Sequence, residues 1–373
     1  MTNAELATPS GSNGSKKSRA ERLSTIRKAW PWFFLILMVI VFTIISKNAN
    51  NVNFLNFRSV QGILVYATQI LLIGLAETII IISGNGGIDL SVHYSLGLAA
   101  VVAAFVMRAM FAASLPPVLT IGSGFLAGIL VCIIPGWVNG TLVAKVKVPP
   151  FISTLGMGYV VYGIALLLSL GQAIADQPDY LAQIGNGYLL YYWPTHGFTF
   201  FKVPAVATLA DLQQIIPLIP NVVAITLLVT IAVWFILAKT QFGQHIYAIG
   251  GNIQASIRSG IPVASTLTRA YILAAILAGI AGVIWTSRFT SGASNAGEPT
   301  LLFAIAAVVI GGTSMFGGEG TIVGTVIGAL IIATIQYGLV VLGQQPYWQY
   351  VTVGVVVIIA VIVDQLGRAM EHS

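Results

Sequence analysis

Residues 60–91 read VQGILVYATQILLIGLAETIIIISGNGGIDLS and combine the two features that decide the fold of this chain. The first part, 60–82, carries one charged side chain, Glu77. It is long enough for a helix, which rises about 1.5 Å per residue, to cross about 30 Å of hydrocarbon. The second part, 83–91, is rich in glycine and polar residues and breaks the apolar pattern. The stretch therefore predicts a membrane-spanning helix followed by an irregular polar segment.

The composition of the whole chain is that of a membrane protein. Its 373 residues are 57% hydrophobic and 8% charged, whereas a soluble domain has about 25% charged residues. So few charges argue against a soluble enzyme and against a nucleic-acid binder, although the net charge is +6. Cys132 is the single cysteine, and the four histidines show no metal-ligand spacing, so neither an intrachain disulfide nor a metal site is expected.

Hydropathy predicts about ten spans, so the expected fold class is all-α, a polytopic membrane protein with broken helices. The expected spans lie near 30–46, 60–82, 92–113, 117–142, 150–170, 215–238, 266–287, 301–315, 320–342 and 347–363. The expected domains are a disordered tail at 1–29, a transmembrane domain at 30–364 and a short tail at 365–373. Twelve Lys or Arg residues fall on the side of this topology that holds both termini, and five fall on the other side. Because Lys and Arg are enriched on the cytoplasmic side of membrane proteins, both termini are expected in the cytoplasm.

Two glycine-rich polar segments, 83–91 and 311–320, interrupt the helical pattern. Irregular backbone at membrane depth persists only where protein encloses it or water reaches it. Each segment is therefore either a cytoplasmic turn or a broken helix along a polar route. Glycines four residues apart at 320–328 and at 124–128 predict close helix packing.

Polar and ionisable groups in or beside the spans are candidates for a translocation route, because such groups are costly in lipid. These candidates are Glu77, Asp89, Ser91, Asn139 and Glu319. A structural interpretation stands beside each. Asp89 with Ser91, and likewise Glu319, precedes a helix and is suited to cap it, and Asn139 is expected in an internal turn. Glu77 lies one turn from the break and is placed to accept hydrogen bonds from its backbone.

The longest internal loop, 239–265, predicts a short cytoplasmic helix. Asn252 is a suitable N-cap, Gly260 a suitable stop, and Pro262 prevents continuation. Such a helix is suited either to dock into a partner protein and transmit its motion or simply to lie on the surface. The chain has no G-x-x-x-x-G-K-[ST] motif, so any nucleotide hydrolysis is expected in a separate subunit.

Four motifs resemble the permease subunits of bacterial ABC importers for monosaccharides of the ribose, xylose, arabinose and galactose type. They are GIDLSV at 87–92, KVPPFISTLG at 147–156, GGN with SGI at 250–252 and 259–261, and AIAAVVIGGTS at 304–314. The resemblance, to the branched-chain amino acid permease superfamily, implies a bundle similar to the ten-helix permeases of the vitamin B12 importer class. It also implies a bacterial inner-membrane location, a second permease copy, identical or paralogous, cytoplasmic ATPase subunits that bind ATP and Mg, and a periplasmic or surface sugar-binding protein.

In this resemblance the segment 250–260 is the coupling helix to the ATPase. Its candidate residues are Gly250, Gly251, Asn252, Ala255, Arg258, Ser259 and Gly260. The chain also departs from the family pattern: His93 with Tyr94 replaces a usual Gly, Leu301 and Phe303 replace a common Glu and Asp, and Asn85-Gly86 resembles an insertion. Because they lie beside the expected route, Asn85, His93 and Phe303 join its candidate residues, and the identity of the sugar stays open.

The predicted function is the permease subunit of an ATP-driven, binding-protein-dependent importer for a monosaccharide or related polyol, with no cofactor in this chain and no enzymatic activity of its own. An ABC permease for branched-chain amino acids, nucleosides or a signal molecule is the first alternative. An ion-coupled secondary carrier is the second. An integral-membrane enzyme has least support, because no paired acids, nucleophile with base or metal cluster is present.

Overall fold

The computed structural model describes residues 13–84, 87–194, 197–201 and 214–371, and it confirms an all-α membrane protein. The helices up to the long loop are α1 (Asn13–Asn50), α2 (Phe57–Ile82), α3 (Val92–Ala112), α4 (Pro117–Thr141), α5 (Pro150–Ser169) and α6 (Tyr180–Asn186). After the loop come α7 (Asn221–Lys239), α8 (Gln241–Gly251), α9 (Ile253–Arg258), α10 (Val263–Phe289), α11 (Thr300–Ile310), α12 (Ile322–Val341) and α13 (Tyr347–Glu371). A π-helical turn, Leu142–Val146, extends α4.

Among the described residues, eight helices are long and apolar enough to cross a membrane. Shorter apolar helices, Thr300–Ile310 and Tyr347–Ile359, occupy the eighth and tenth predicted spans. The full number of crossings, the domain boundaries and the likeness to the vitamin B12 importer class stay predictions.

Helix α1 begins at Asn13, inside the segment 1–29 for which a disordered tail is predicted; the extent of that tail stays a prediction. Residues 13–29 contain six Lys or Arg residues and two Ala residues. These residue types have high helix propensity and extend the first span backwards as one helix. Residues 1–12 lie outside the described part of the chain.

The long loop between α5 and α7 contains a sheet that the sequence analysis did not predict. Strands β1 (Tyr188–Trp193), β2 (Gly197–Phe200) and β3 (Ile216–Pro220) form an antiparallel sheet in the order β2-β1-β3. Aromatic residues suit this half-buried surface. The sixth span begins at Asn221 rather than 215, because Pro217 and Pro220 are excluded from a helix interior. The end of the bundle that carries this sheet is called the sheet end.

Helix α2 lies at the centre of the bundle, between α10, α11 and α12. Its residues from Ile70 to Ile82 are all buried. At the sheet end, the side-chain amide of Gln61 donates hydrogen bonds to the carbonyl groups of Pro217 (2.6 Å) and Leu218 (2.9 Å). The opposite end of α2 lies beside α8 and α9 and is called the α9 end.

The predicted glycine packing is confirmed. Gly324 and Gly328 of α12 contact the backbone of Gly311 and Ala307 at α11 and its C-terminus, and Gly128 of α4 contacts α3 in the same way. Helices approach this closely only where no side chain intervenes.

Candidate functional site

Residues 87–91, in the segment that follows α2, lie back inside the bundle. Helix α2 ends at Ile82, yet the backbone N–H of Asp89 donates to Oε2 of Glu77 at 3.3 Å. Glu77 lies five residues before the end of α2, which is about 7.5 Å along a helix axis. At residues 87–91 the segment is therefore re-entrant and is not a simple turn beyond the end of α2.

A buried polar network surrounds this re-entrant segment. Oδ1 of Asp89 accepts hydrogen bonds from the backbone N–H (2.9 Å) and the hydroxyl (2.6 Å) of Ser91. The amide of Asn139 on α4 donates to the Ser91 hydroxyl at 2.9 Å, and the hydroxyl of Ser153 on α5 donates to Oδ1 of Asn139 at 3.1 Å. The network thus joins α2, the re-entrant segment, α4 and α5, and it contains four residues that the sequence analysis singled out separately.

Asp89 stabilises the start of α3, but it does not act as the N-cap of that helix. Ser91 is the N-cap of α3, and its side chain makes no capping hydrogen bond. Asp89 instead accepts from Ser91 itself and so stabilises the turn before the helix. Beside it, Oε1 of Glu77 is buried and has no hydrogen-bond partner among the described residues. Two buried carboxyl groups therefore lie next to each other at this position.

A second polar segment, 290–299, enters the bundle from the sheet end. Its Gly292 lies against Ala100 of α3, and Gly297 lies against the backbone of His93, where a Cβ atom would collide with the carbonyl oxygen. The segment therefore runs along α3 towards the start of that helix, and α11 begins directly after it. This segment was not predicted, although the polar run TSGASNAGEPT before a short apolar span distinguishes it in the sequence.

Helices α3 and α11 thus both begin after polar segments that enter the bundle, one from each end. Discontinuous helices of this kind commonly lie beside the substrate in transporters, because their N-termini present free backbone N–H groups inside the protein.

The other predicted break, 311–320, is a turn at the α9 end. The N–H of Gly318 donates to the carbonyl oxygen of Ile82 at 2.9 Å. Thr321 caps α12 by accepting from the N–H of Gly324 at 3.0 Å, so the capping role predicted for Glu319 belongs to Thr321. Glu319 is exposed there. The candidate Asn85 lies outside the described residues.

Aromatic side chains cover the start of α3. The His93 and Tyr94 rings lie 3.8 Å apart between centroids, and the Tyr94 ring is 5.9 Å from Tyr159 and 5.2 Å from Tyr162 of α5. Tyr159 lies midway along α5 and is 61% exposed. A phenol hydroxyl in the middle of a membrane-spanning helix is poorly accommodated by lipid, so this face of α5 is suited to water or to another protein surface.

A cavity of about 280 Å³ lies at the start of α11. Its polar lining comes from α2, α10, α12 and α13 and includes Gln69, Arg288, Gln336 and Gln349. Phe303 and Tyr350 also line it, with ring centroids 5.8 Å apart. Nε2 of Gln69 and Nε of Arg288 are buried without a hydrogen-bond partner among the described residues. A larger cavity of about 450 Å³ lies nearer the sheet and shares Tyr66 with the first.

The predicted short helix is present as α9. Oδ1 of Asn252 accepts from the N–H of Ala255 at 2.9 Å, and Gly260 has φ +78°, which matches the predicted cap and stop. The helix α8 before it was not predicted. Of the candidate coupling residues, Gly250 is packed inside and the others are exposed: Gly251, Asn252, Ala255, Arg258, Ser259 and Gly260.

Apolar spanning helices, two polar segments that enter the bundle, and polar cavities between the helices define a multi-pass membrane permease. The chain belongs to the family described as "Branched-chain amino acid transport system / permease component", whose model matches residues 59–361.

Three relatives are similar over most of their length. The ribose import permease protein of Bacillus subtilis is 36% identical over 92% of this chain and 94% of the relative. The fructose import permease protein of Rhizobium meliloti is 35% identical over 91% and 86%. The galactose/methyl galactoside import permease protein of Escherichia coli is 33% identical over 91% and 94%. No solved structure matches this chain.

Proposed function

We propose that this chain is the permease subunit of an ATP-driven, binding-protein-dependent importer for a monosaccharide or related polyol. The observation that carries the proposal is the identity of 33 to 36% with import permeases named for ribose, fructose and galactose, over about nine tenths of the chain. The family description mentions branched-chain amino acids, but these relatives are named for sugars.

The polar groups of the cavity at the start of α11 suit a sugar, whose hydroxyl oxygens can also accept hydrogen bonds from the guanidinium of Arg288. Sugar hydroxyl groups both donate and accept hydrogen bonds, as do the side-chain amides of Gln69, Gln336 and Gln349. Apolar C–H faces of a sugar ring pack well on aromatic rings such as Phe303 and Tyr350. An amino acid zwitterion needs a partner for its ammonium group, and no carboxylate is among the described residues that line this cavity.

Three features support an external energy source at the α9 end. The sequence lacks a phosphate-binding loop, α9 is exposed at its outer face, and Lys145, Lys147 and Arg258 lie in or near this end. In the proposal this end is cytoplasmic, and ATPase subunits that bind ATP and Mg dock on α9. The sheet end then faces the periplasmic or surface sugar-binding protein.

The exposed face of α5 supports a second permease copy as a further partner. Gly156 and Gly163 lie two turns apart on this helix, and a Cβ atom at either would meet open space. Tyr159 lies between them. Small residues on the surface of a spanning helix favour close packing with another helix, and a second copy would cover the Tyr159 hydroxyl.

Reconstitution into liposomes tests the proposal. The complete importer, made of this chain with its ATPase and binding protein, is expected to take up a monosaccharide from a panel of ribose, fructose, galactose and allose only when ATP is supplied. Accumulation by the purified chain alone under an ion gradient would overturn the proposal in favour of a secondary carrier. ATP-dependent uptake of leucine or a nucleoside, with no sugar uptake, would overturn the cargo class only.

A further inference from the structure

Three segments of the chain meet backbone against backbone at the α9 end. Gly250, at the end of α8, lies against the carbonyl oxygen of Ile82, and a Cβ atom on it would be 2.5 Å from the nitrogen of Gly318. A Cβ atom on Gly84 would lie 2.8 Å from Cα of Gly250, and one on Gly317 would collide with Cα of Gly84. We call Gly84, Gly250, Gly317 and Gly318 the glycine joint.

Hydrogen bonds fix the glycine joint. The N–H of Gly318 donates to the carbonyl oxygen of Ile82 at 2.9 Å, and the hydroxyl of Tyr247 on α8 donates to the carbonyl oxygen of Gly320 at 2.9 Å. Gly84, Gly317 and Gly318 have φ values of +80°, +91° and +74°, a region that other residues rarely adopt. One hydrogen bond therefore holds α8 to the turn 311–320, and the other holds the end of α2 to the same turn.

The glycine joint lies between the proposed docking helix and the polar network. Gly250 precedes the N-cap of α9, Asn252, by two residues. The carbonyl oxygen of Gly84 accepts a hydrogen bond from the N–H of Gly87 at 3.2 Å, and Gly87 lies two residues before Asp89 in the re-entrant segment. Because closely packed backbone has no empty space or flexible side chain to absorb a displacement, a movement of α8 must move the segments packed against it.

We propose that the glycine joint transmits movement of α9 to the re-entrant segment 83–91, and so couples events at the ATPase to the buried polar network. This inference rests on the proposed function, because it assumes that an ATPase moves α9. It adds the contact through which the movement passes, and it makes Gly250 and Tyr247 positioning residues for transport.

Two variants of this chain test the glycine joint in the complete reconstituted importer. Gly250→Ala introduces a methyl group where no space exists, although alanine has the higher helix propensity. Tyr247→Phe removes only the hydroxyl that binds Gly320. The matched controls are Gly122→Ala, at an exposed helical glycine with open space around it, and Tyr347→Phe, at an exposed tyrosine.

The first readout is the amount of sugar transported per ATP hydrolysed. Gly250→Ala is expected to lower this ratio by about fivefold or more, and Tyr247→Phe is expected to lower it by a smaller factor. Both controls should keep the wild-type ratio. The second readout is hydrogen exchange of the amides of 83–91. In the wild-type complex their protection is expected to change when nucleotide is added, and Tyr247→Phe is expected to reduce that change.

A wild-type transport ratio together with a wild-type exchange response in Tyr247→Phe would overturn the inference, even where Gly250→Ala does not fold. Failure of the proposed function is distinguishable, because the wild-type importer would then show no ATP-dependent uptake of any sugar in the panel.

Discussion

The side-chain amide of Asn139 donates a 2.9 Å hydrogen bond to the hydroxyl of Ser91 and so ties α4 to the re-entrant segment. These residues are 48 positions apart in sequence, and both are buried. Asn139 also accepts the hydrogen bond from Ser153. One amide therefore connects three parts of the bundle.

Asn139→Leu is expected to destabilise the protein. It preserves the approximate side-chain size but leaves the buried Ser153 hydroxyl without its acceptor, a loss of about 2 kcal/mol. Thermal unfolding in detergent measures the effect. The control is Ser123→Ala, which removes a hydroxyl bonded only within its own helix. Equal stability of Asn139→Leu and the wild type would show that the network adds nothing to the fold.

Glu77→Gln is expected to retain ATP-dependent uptake. The amide oxygen of glutamine still accepts from the N–H of Asp89, and the change removes one of two adjacent buried acids. Glu77→Leu removes the acceptor and is expected to lower both stability and uptake, since a buried N–H is left unpaired. Uptake rates in liposomes separate the two. Loss of uptake in a stable Glu77→Gln protein would favour an ion-coupled carrier.

Gly260→Val is expected to uncouple ATP hydrolysis from uptake. Gly260 has φ +78°, and no atoms lie near its missing Cβ, so the effect of a β-branched residue is purely conformational. Gly260→Asn is the control, because asparagine tolerates this backbone region. The measured quantity is the ratio of transported sugar to hydrolysed ATP. A wild-type ratio in Gly260→Val would contradict the proposal that the ATPase docks on α9.

Gln336→Leu and Phe303→Leu are expected to weaken sugar binding inside the permease. Gln336→Leu removes a hydrogen bond to a neutral ligand, which costs about 1 kcal/mol. Phe303→Leu removes the aromatic ring that packs on the sugar C–H face, which costs about the same. The KM for uptake or the maximal rate should therefore change by about fivefold in each variant. Gln344→Leu, at an exposed amide outside the cavity, is the control. Unchanged kinetics in both cavity variants would place the sugar route elsewhere.

Gly163→Cys is expected to form a cross-linked dimer on oxidation, because this face of α5 is proposed to meet a second copy. The native Cys132 is fully buried, so it should not contribute. Gly122→Cys, at an exposed glycine of α4 with open space around it, is the control and should remain monomeric on a denaturing gel. A cross-linked dimer in Gly122→Cys but not in Gly163→Cys would contradict the α5 interface and indicate that α4 contacts the second copy.

The sequence predicted the features that depend on local composition. Long apolar runs located the spans, and Glu77, Asp89, Ser91 and Asn139 were recognisable because polar groups are rare in such runs. The cap at Asn252 and the stop at Gly260 were predictable from residue type alone. The sequence could not predict that four of these groups meet, because their contacts depend on how α2, α4 and α5 pack.

The elements that were not predicted all have weak local signals in the sequence. The segment 290–299 is irregular and is recognisable as re-entrant only from its backbone contacts with α3. The sheet rests on pairings such as Tyr191 with Thr199 and Pro217, which no local period reveals. Helix α8 is short and glycine-containing, and its start depends on a weak cap in which Thr240 accepts from Gly243 at 3.4 Å.

Helix α2 is fastened at both of its ends: Gln61 holds it to the sheet, and Ile82 holds it to Gly318 at the opposite end. Its 26 residues form a rod of about 39 Å, shielded by neighbouring helices along its second half. A displacement at one end of α2 is therefore expected to reach the other end through this helix itself. Bilayer thickness and acyl-chain composition should consequently have little influence on movement that passes along α2.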